Sequence, residues 1–342
     1  MNSTMQGKAR RAIAVRAVAA PAMLALGLAW IAPAAAQHPG PQAPPEKMAW
    51  RQVLRLDPRA FDPAQAAGNP LKFPAGLRTH QFDFEYLPPQ DRKHARIYEL
   101  MRDQEVLEKV QAFMAPLYLP SRVRLEIRGC DGRVNAQFWQ NVITVCYEYF
   151  DWIWKNAPKT PKGGLSPGDA MIGPMVDLFL HEAGHAVLQL LDIPLLGSEE
   201  DAADYIATFL ILQFSDADAR RLIMGASIIF GRDALRDQER APELLELAGR
   251  HSLPAQRYFN RLCMAYGKDP VLYADAVGPG MLTRQRANHC AYEYAYNSDA
   301  FRRLIRPYLD PGLTREVMAT KWFAFETPIA TVTPQPPAKN KK

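Results

Sequence analysis

Residues 181–185 read His-Glu-Ala-Gly-His, and fifteen positions beyond the second histidine the run Glu200-Asp201-Ala202-Ala203-Asp204 begins. On an α-helix, positions i and i+4 lie roughly 40° apart in azimuth and about 6 Å apart along the axis, so His181 and His185 project from one face and can share one metal ion. Glu182 sits beside them. From there its carboxylate can take a proton from a water activated by the ion and pass it to a leaving amine without being a ligand itself. Catalytic zinc usually has three protein ligands and one open position, and the start of the next segment offers Glu199, Glu200 and Asp201. Acids in a first helical turn are favoured by the macrodipole whatever their function. Glu200 is preferred because Asp204 lies four residues on, so that one carboxylate can bind the ion while the other accepts the second N–H of a ligating histidine. The chemistry these residues spell is hydrolysis of an amide assisted by Zn(2+), with Glu182 as general base.

Such a site needs rigid supports. Val176, Phe179, Leu180, Ala183, Val187, Leu190 and Leu191 follow a 3.6-residue period, which predicts a buried helix with Pro174 in its first turn and Pro194 beyond its end. Gly184 costs about 1 kcal/mol against Ala in a helix interior, so a strand or a substrate is expected to cross closely there. The second helix opens with Ser198 as N-cap and Asp201 at N3, with Ala202, Ala203, Ile206 and Leu210 on its apolar side. Upstream, Phe82 to Tyr86 alternates as a strand, residues 91–117 carry a helical period, and Val123, Leu125 and Ile127 alternate with Arg and Glu. Val142 to Tyr147 reads as a further strand. Downstream the chain reads as helical to Tyr308. That order predicts an α+β, zincin-like metallopeptidase fold: a small mixed sheet with the active-site helix, followed by a helical C-terminal lobe.

The segment from His181 to Leu212, with Gly197-Ser198-Glu199-Glu200-Asp201-Ala202-Ala203-Asp204, resembles the bacterial "Putative metallopeptidase" family, a domain-of-unknown-function group with a thermolysin-like zincin motif. Cys130-Asp131-Gly132, Asn135-Ala136 and Ile143 to Glu148 are similar to the block that precedes its metal helix. Gln256-Arg257, Asn260, Cys263 and Tyr266-Gly267 are similar to its C-terminal block. The resemblance spans roughly residues 82 to 310. It implies peptidase activity, and by likeness to the broader glutamate-zincins it implies Glu200 as third ligand with Asp204 behind the ligands.

Residues 1–36 read as a secretory signal: Lys8, Arg10, Arg11 and Arg16 in front, an apolar stretch from Ala17 to Ile31, and Ala34-Ala35-Ala36 as a cleavage site. The apolar stretch is short for a membrane span, so no stable membrane insertion is expected after cleavage. Removing those four positive charges from the formal +5 leaves +1, so the basicity belongs to targeting and nucleic acid is not an expected partner. Further boundaries are an N-terminal extension over 37–81 with a Pro-rich start, the metallopeptidase-like domain over 82–310, and a C-terminal extension over 311–342 ending in a Pro- and Lys-rich tail. All four cysteines fall in the exported part, which fits an oxidising periplasmic or secreted setting. The preferred disulfides are Cys130–Cys146, tying neighbouring strands, and Cys263–Cys290, tying two helices. His251 and His289 suit surface or capping roles, with His251, Tyr205 and Tyr258 open as transition-state donors.

The expected partner is a peptide or protein substrate, bound extended along the strand near Asn135 to Trp139. The rival readings are a non-catalytic zinc-binding envelope protein, which would not need Glu182, and a zinc amidase acting on a non-peptide amide. Protein purified from the native host should begin near Gln37 and carry no alkylatable thiol when unfolded without reductant. Intact-mass measurement decides this, and a full-length chain or four reactive cysteines would overturn the export reading.

Overall fold

Strict alternation builds the sheet. In β2 (Val123–Arg128) the side chains of Val123, Leu125 and Ile127 are fully buried while Arg124 and Arg128 face solvent, so one face of the strand enters the core. A computed structural model describes residues 76–323 apart from 161, 163 and 237–246. Four strands form one sheet in the order β1-β2-β4-β3, where β1 is Phe82–Tyr86, β3 Ala136–Trp139 and β4 Val142–Cys146. The first three neighbours run parallel, with Phe84 opposite Leu125 and Leu125 opposite Ile143. β3 pairs antiparallel with β4 and forms an edge of the sheet. The turn between them is two residues long. Gln140 and Asn141 both have positive φ (49° and 61°), the combination that matches the twist of a tight hairpin.

Parallel β1 and β2 require a crossover, which two helices supply, α1 (Ala95–Asp103) and α2 (Val106–Met114). Periodicity over residues 91–117 predicts one helical stretch, but the chain breaks at Glu105, which is left-handed at φ 50°. The Tyr86 hydroxyl stabilises the new start: it accepts the Leu107 N–H at 2.8 Å and donates to Glu108 at 2.6 Å, satisfying a donor that a helix N-terminus leaves unpaired. After β4 follow α3 (Tyr147–Asn156), α4 (Pro167–Leu190), α5 (Glu199–Ile211), α6 (Asp216–Arg236), α7 (Pro254–Lys268), α8 (Arg284–Leu304) and α9 (Pro311–Ala319). The architecture is α+β, with the sheet formed before the long helices. Among the described residues no helix is long and apolar enough to cross a membrane. The expected signal (1–36), the Pro-rich start and the tail lie outside the described residues.

Helix α4 carries the His-Glu-Ala-Gly-His run. It begins seven residues before Pro174, which lies in its interior rather than its first turn. The true start is a reciprocal cap: Ser166 Oγ accepts the Asp169 N–H, Asp169 accepts the Ser166 N–H, and Pro167 occupies the first helical position. From Asp177 to Leu188 every residue is buried, as expected of a helix covered on all sides. It packs on β3 and β4 on one side and on α5 and α6 on others.

Glycines on α4 and α6 let these helices approach their neighbours closely. A Cβ on Gly184 would lie 3.1 Å from the Ala203 Cα and 3.2 Å from its carbonyl oxygen, so the close neighbour of α4 there is helix α5, not a strand or a substrate. Where α4 crosses α6, a Cβ on Gly225 would lie 2.1 Å from the Asp169 carbonyl oxygen. Two disulfides, Cys130–Cys146 and Cys263–Cys290, join the end of β4 to the loop after β2 and α7 to α8. Gly225→Ala should destabilise the protein by about 1–3 kcal/mol, even though Ala is the better helix former by about 1 kcal/mol. Denaturant unfolding measures it, and a variant more stable than wild type would show that the two backbones are not in contact.

Candidate functional site

Helix periodicity and the close approach of α4 and α5 bring the sequence-predicted residues together. His181, Glu182, His185, Glu200 and Asp204 are between 5% and 8% exposed. His181 Nδ1 stands 2.8 Å from Asp204 Oδ1, and His185 Nδ1 stands 2.8 Å from Glu199 Oε1. A carboxylate opposite each Nδ1 favours an N–H on that atom, and although burial opposes it, Asp204 and then Glu200 raise the pKa of the His181 imidazole to about 9. The two Nε2 atoms point at each other's neighbourhood, 3.2 Å apart.

Glu200 Oε2 completes the cluster. It lies 3.3 Å from His181 Nε2, 3.2 Å from His185 Nε2 and 2.9 Å from His251 Nε2. Yet this oxygen is buried with no hydrogen bond of acceptable geometry. A buried carboxylate oxygen at contact distance from imidazole nitrogens, without a well-directed hydrogen bond, is costly unless a cation, a proton or a metal ion, fills the space. The spacing agrees: donor atoms about 2.0–2.1 Å from a tetrahedral zinc stand about 3.3 Å apart. His181, Glu200 and His251 alone offer donor atoms within 4.8 Å of one another, enough to hold a metal ion.

The second acidic grouping, Cys130, Cys146 and Glu148, is of another kind. Its sulfurs are joined in a disulfide, and the Glu148 carboxylate accepts the backbone N–H groups of Cys130 and Gly132 at 2.9–3.1 Å. This pins the loop that leads into β3.

Charges behind the cluster are paired. Arg257 donates through Nε and Nη2 to both oxygens of Asp204 at 2.6 and 2.7 Å. One turn later on α7, Arg261 grips Asp177 in the same two-pronged way at 2.9 and 2.7 Å. Asp177 sits one turn before His181 on α4. Burial would raise the Asp204 carboxyl, but the Arg257 hydrogen bonds, then His181, hold it far below the ordinary carboxylate range. For Glu200 burial is likewise overcome, by His181 first and then by the charge of His251, and its carboxyl falls to about 2. Glu182 behaves oppositely. Its burial outweighs the nearby histidines, so its pKa is raised, with the Phe138 backbone N–H acting as a counterweight. That N–H belongs to the edge strand β3, which packs on α4 and carries Trp139 exposed to solvent.

Several residues take contacts that differ from the sequence reading or lie outside it. Glu199, the alternative to Glu200, faces His185 instead and is held by Gln189 Nε2 at 2.8 Å. Ser198 precedes α5 in extended conformation but makes no side-chain cap; its hydroxyl donates to the Arg250 carbonyl at 3.4 Å. Arg257 and Arg261 carry the i, i+4 spacing of a shared helix face, a signal present in the sequence but without a local partner to give it meaning. Of the open donor candidates, only His251 reaches the cluster. Tyr205 donates to Glu293 at 3.1 Å and Tyr258 to the Gly280 carbonyl at 3.1 Å. His289 is exposed on α8.

Residues 86–305 match the model of a family described as "Putative metallopeptidase". No curated protein and no solved structure matches the chain.

Because the folded pKa of Asp204 is depressed, its contribution to stability is fully present above the unfolded value, about 4, and is lost as pH falls toward the folded value. In chelator-treated protein, Asp204→Asn should cost about 1.5–3 kcal/mol at pH 7, since it takes the charged partner from Arg257, whose side chain is 29% exposed. The gap to wild type should narrow by about 1.4 kcal/mol per pH unit below pH ~4. Urea unfolding at several pH values checks this, and a gap independent of pH would contradict the pairing.

Proposed function

The chain belongs to the "Putative metallopeptidase" family, and we propose that it is a zinc-dependent hydrolase of peptide bonds in which His181, His185 and Glu200 hold the ion and Glu182 moves the proton. The observation that carries this reading is the buried, unsatisfied Glu200 Oε2 among imidazole nitrogens, directly beside a carboxyl whose pKa is raised by burial. Two imidazoles and a carboxylate suit zinc, a borderline-soft ion that takes nitrogen and oxygen donors together. When bound, zinc would polarise the scissile carbonyl and bring the pKa of a water toward about 7.

The chain's own residues do the rest. Asp204 and Glu199 accept the two Nδ1–H groups and keep both Nε2 lone pairs aimed inward, an arrangement whose loss typically weakens metal binding about 10–100-fold. Arg257 and Gln189 hold those carboxylates in turn. Glu182 receives a proton at its carboxylate and returns it to the nitrogen of the leaving amine; a carboxyl raised toward neutrality is suited to both halves of that transfer. The free edge of β3 lies next to Glu182. An extended peptide pairing with it gains affinity through main-chain hydrogen bonds, which place the scissile bond without dictating side chains.

We assign the enzyme to the periplasm or the exterior. The N-terminal signal pattern and the two disulfides support this.

Glu182→Gln tests the mechanism. The variant should keep its zinc and its fold while peptide cleavage falls by roughly 10²–10⁴. Pools of unstructured peptides are digested with wild type, variant and chelated protein, and new termini are read by mass spectrometry. Cleavage that persists in the variant would remove Glu182 from the reaction, and a wild-type protein loaded with zinc that cuts no peptide would end the peptidase reading.

A further inference from the structure

The surroundings of Glu200 contain one more donor than a hydrolytic zinc site uses. His251 Nε2 lies 2.9 Å from Glu200 Oε2, as close as the two helical histidines, and its ring is stacked at 24° to that of His181 with centroids 6.5 Å apart. The contact is not a hydrogen bond, because that oxygen has none. His251, Glu200 and His181 each offer a donor atom within 4.8 Å of the others, close enough to hold one ion together. Resident zinc in a hydrolase keeps one position open, whereas a site with four protein donors is closed. We propose that His251 is a fourth protein ligand which closes the site, and that it must withdraw before a substrate can reach the ion.

His251 is placed for such a movement. His181 and His185 are fixed inside a helix that is buried throughout this stretch, and Glu200 is fixed on α5. His251 instead lies in the irregular segment 248–253, between helices, with its side chain 55% exposed. Among the described residues that segment is tethered by Ser252 Oγ to Asp201 at 2.9 Å, Arg250 to Glu200 Oε1 at 3.4 Å, the Ser198 hydroxyl to the Arg250 carbonyl at 3.4 Å, and the Leu253 N–H to Gln256 at 3.2 Å. A ligand on an exposed irregular segment can leave at far lower cost than one on a packed helix, because few buried contacts are broken. The protein would then exist in a latent, closed form that protects exposed metal from chelation and an open form that accepts the scissile carbonyl.

The inference rests on His181, His185 and Glu200 being metal ligands, and the test separates the two. Zinc affinity is measured by chelator competition for wild type and His251→Ala, and the cobalt(II)-substituted proteins are titrated with azide while the visible spectrum is followed. Loss of a ligand should weaken zinc binding by at least about tenfold, and the cobalt spectrum of the variant should respond to azide at concentrations that leave wild type unchanged. Equal affinity and equal azide response in the two proteins would overturn the proposal while leaving the zinc site standing. So would a large loss of peptide cleavage in His251→Ala at unchanged affinity, since that is the behaviour of a hydrogen-bond donor to the transition state rather than of a ligand. Wild-type protein that binds neither metal would overturn both readings together.

Discussion

Everything at the site depends on the approach of α4 and α5 at Gly184 and Ala203. There the backbone of one helix meets the backbone of the other so closely that a Cβ on Gly184 would stand 3.1–3.3 Å from Ala203 and the helices would have to part by a few tenths of an ångström. At this separation side chains one turn away on either helix must meet, so a pair of histidines on α4 faces three acids on α5. A larger residue at position 184 would push the helices apart, and the distances of 2.8–3.3 Å that link His181 and His185 to Asp204, Glu199 and Glu200 would all lengthen at once. The geometry of the donor set is therefore a consequence of helix packing, and the glycine in the His-Glu-Ala-Gly-His run is as much a part of the site as its histidines.

Bringing five ionisable groups into a buried space carries a large desolvation cost. The structure answers it in layers. Asp204 and Asp177 each receive a two-pronged arginine from α7, and these arginines are themselves one helical turn apart. Glu199 takes a histidine and a glutamine. Only Glu200 Oε2 is left without a hydrogen bond among these carboxylates. Burial raises the carboxyls of both Glu182 and Asp177, but Asp177 is gripped by Arg261, whereas Glu182 has no arginine beside it among the described residues and stands next to the cluster.

Much of this was legible in the sequence because it is written locally. His181, Glu182 and His185, and the four-residue step from Glu200 to Asp204, follow from helical periodicity alone; β1, β2 and β4 follow from alternation. The start of α4 was misjudged because Pro174 reads as a first-turn residue, although Ser166, Pro167 and Asp169 hold a complete capping signature further upstream. The break at Glu105 was hidden for a different reason: it depends on Tyr86, a residue on β1. The same holds for Arg257, Arg261 and His251, which meet their carboxylates across 51 to 84 positions of sequence. Contacts of that kind have no period and no neighbouring signature, so only the folded chain brings them to light.

The edge strand β3 is held at both ends, by the Gln140–Asn141 turn and by a loop locked through a disulfide and the Glu148 carboxylate. A strand so tethered cannot reshape itself around whatever arrives, and the loss of conformational entropy on binding falls on the incoming chain. For a loosely structured chain, ordering four residues costs about 4–8 kcal/mol, whereas a compact protein must first unfold the segment concerned and lose the native contacts that hold it. Discrimination at this edge would therefore be conformational before it is chemical: loosely structured chains enter, and folded neighbours in the same compartment are spared.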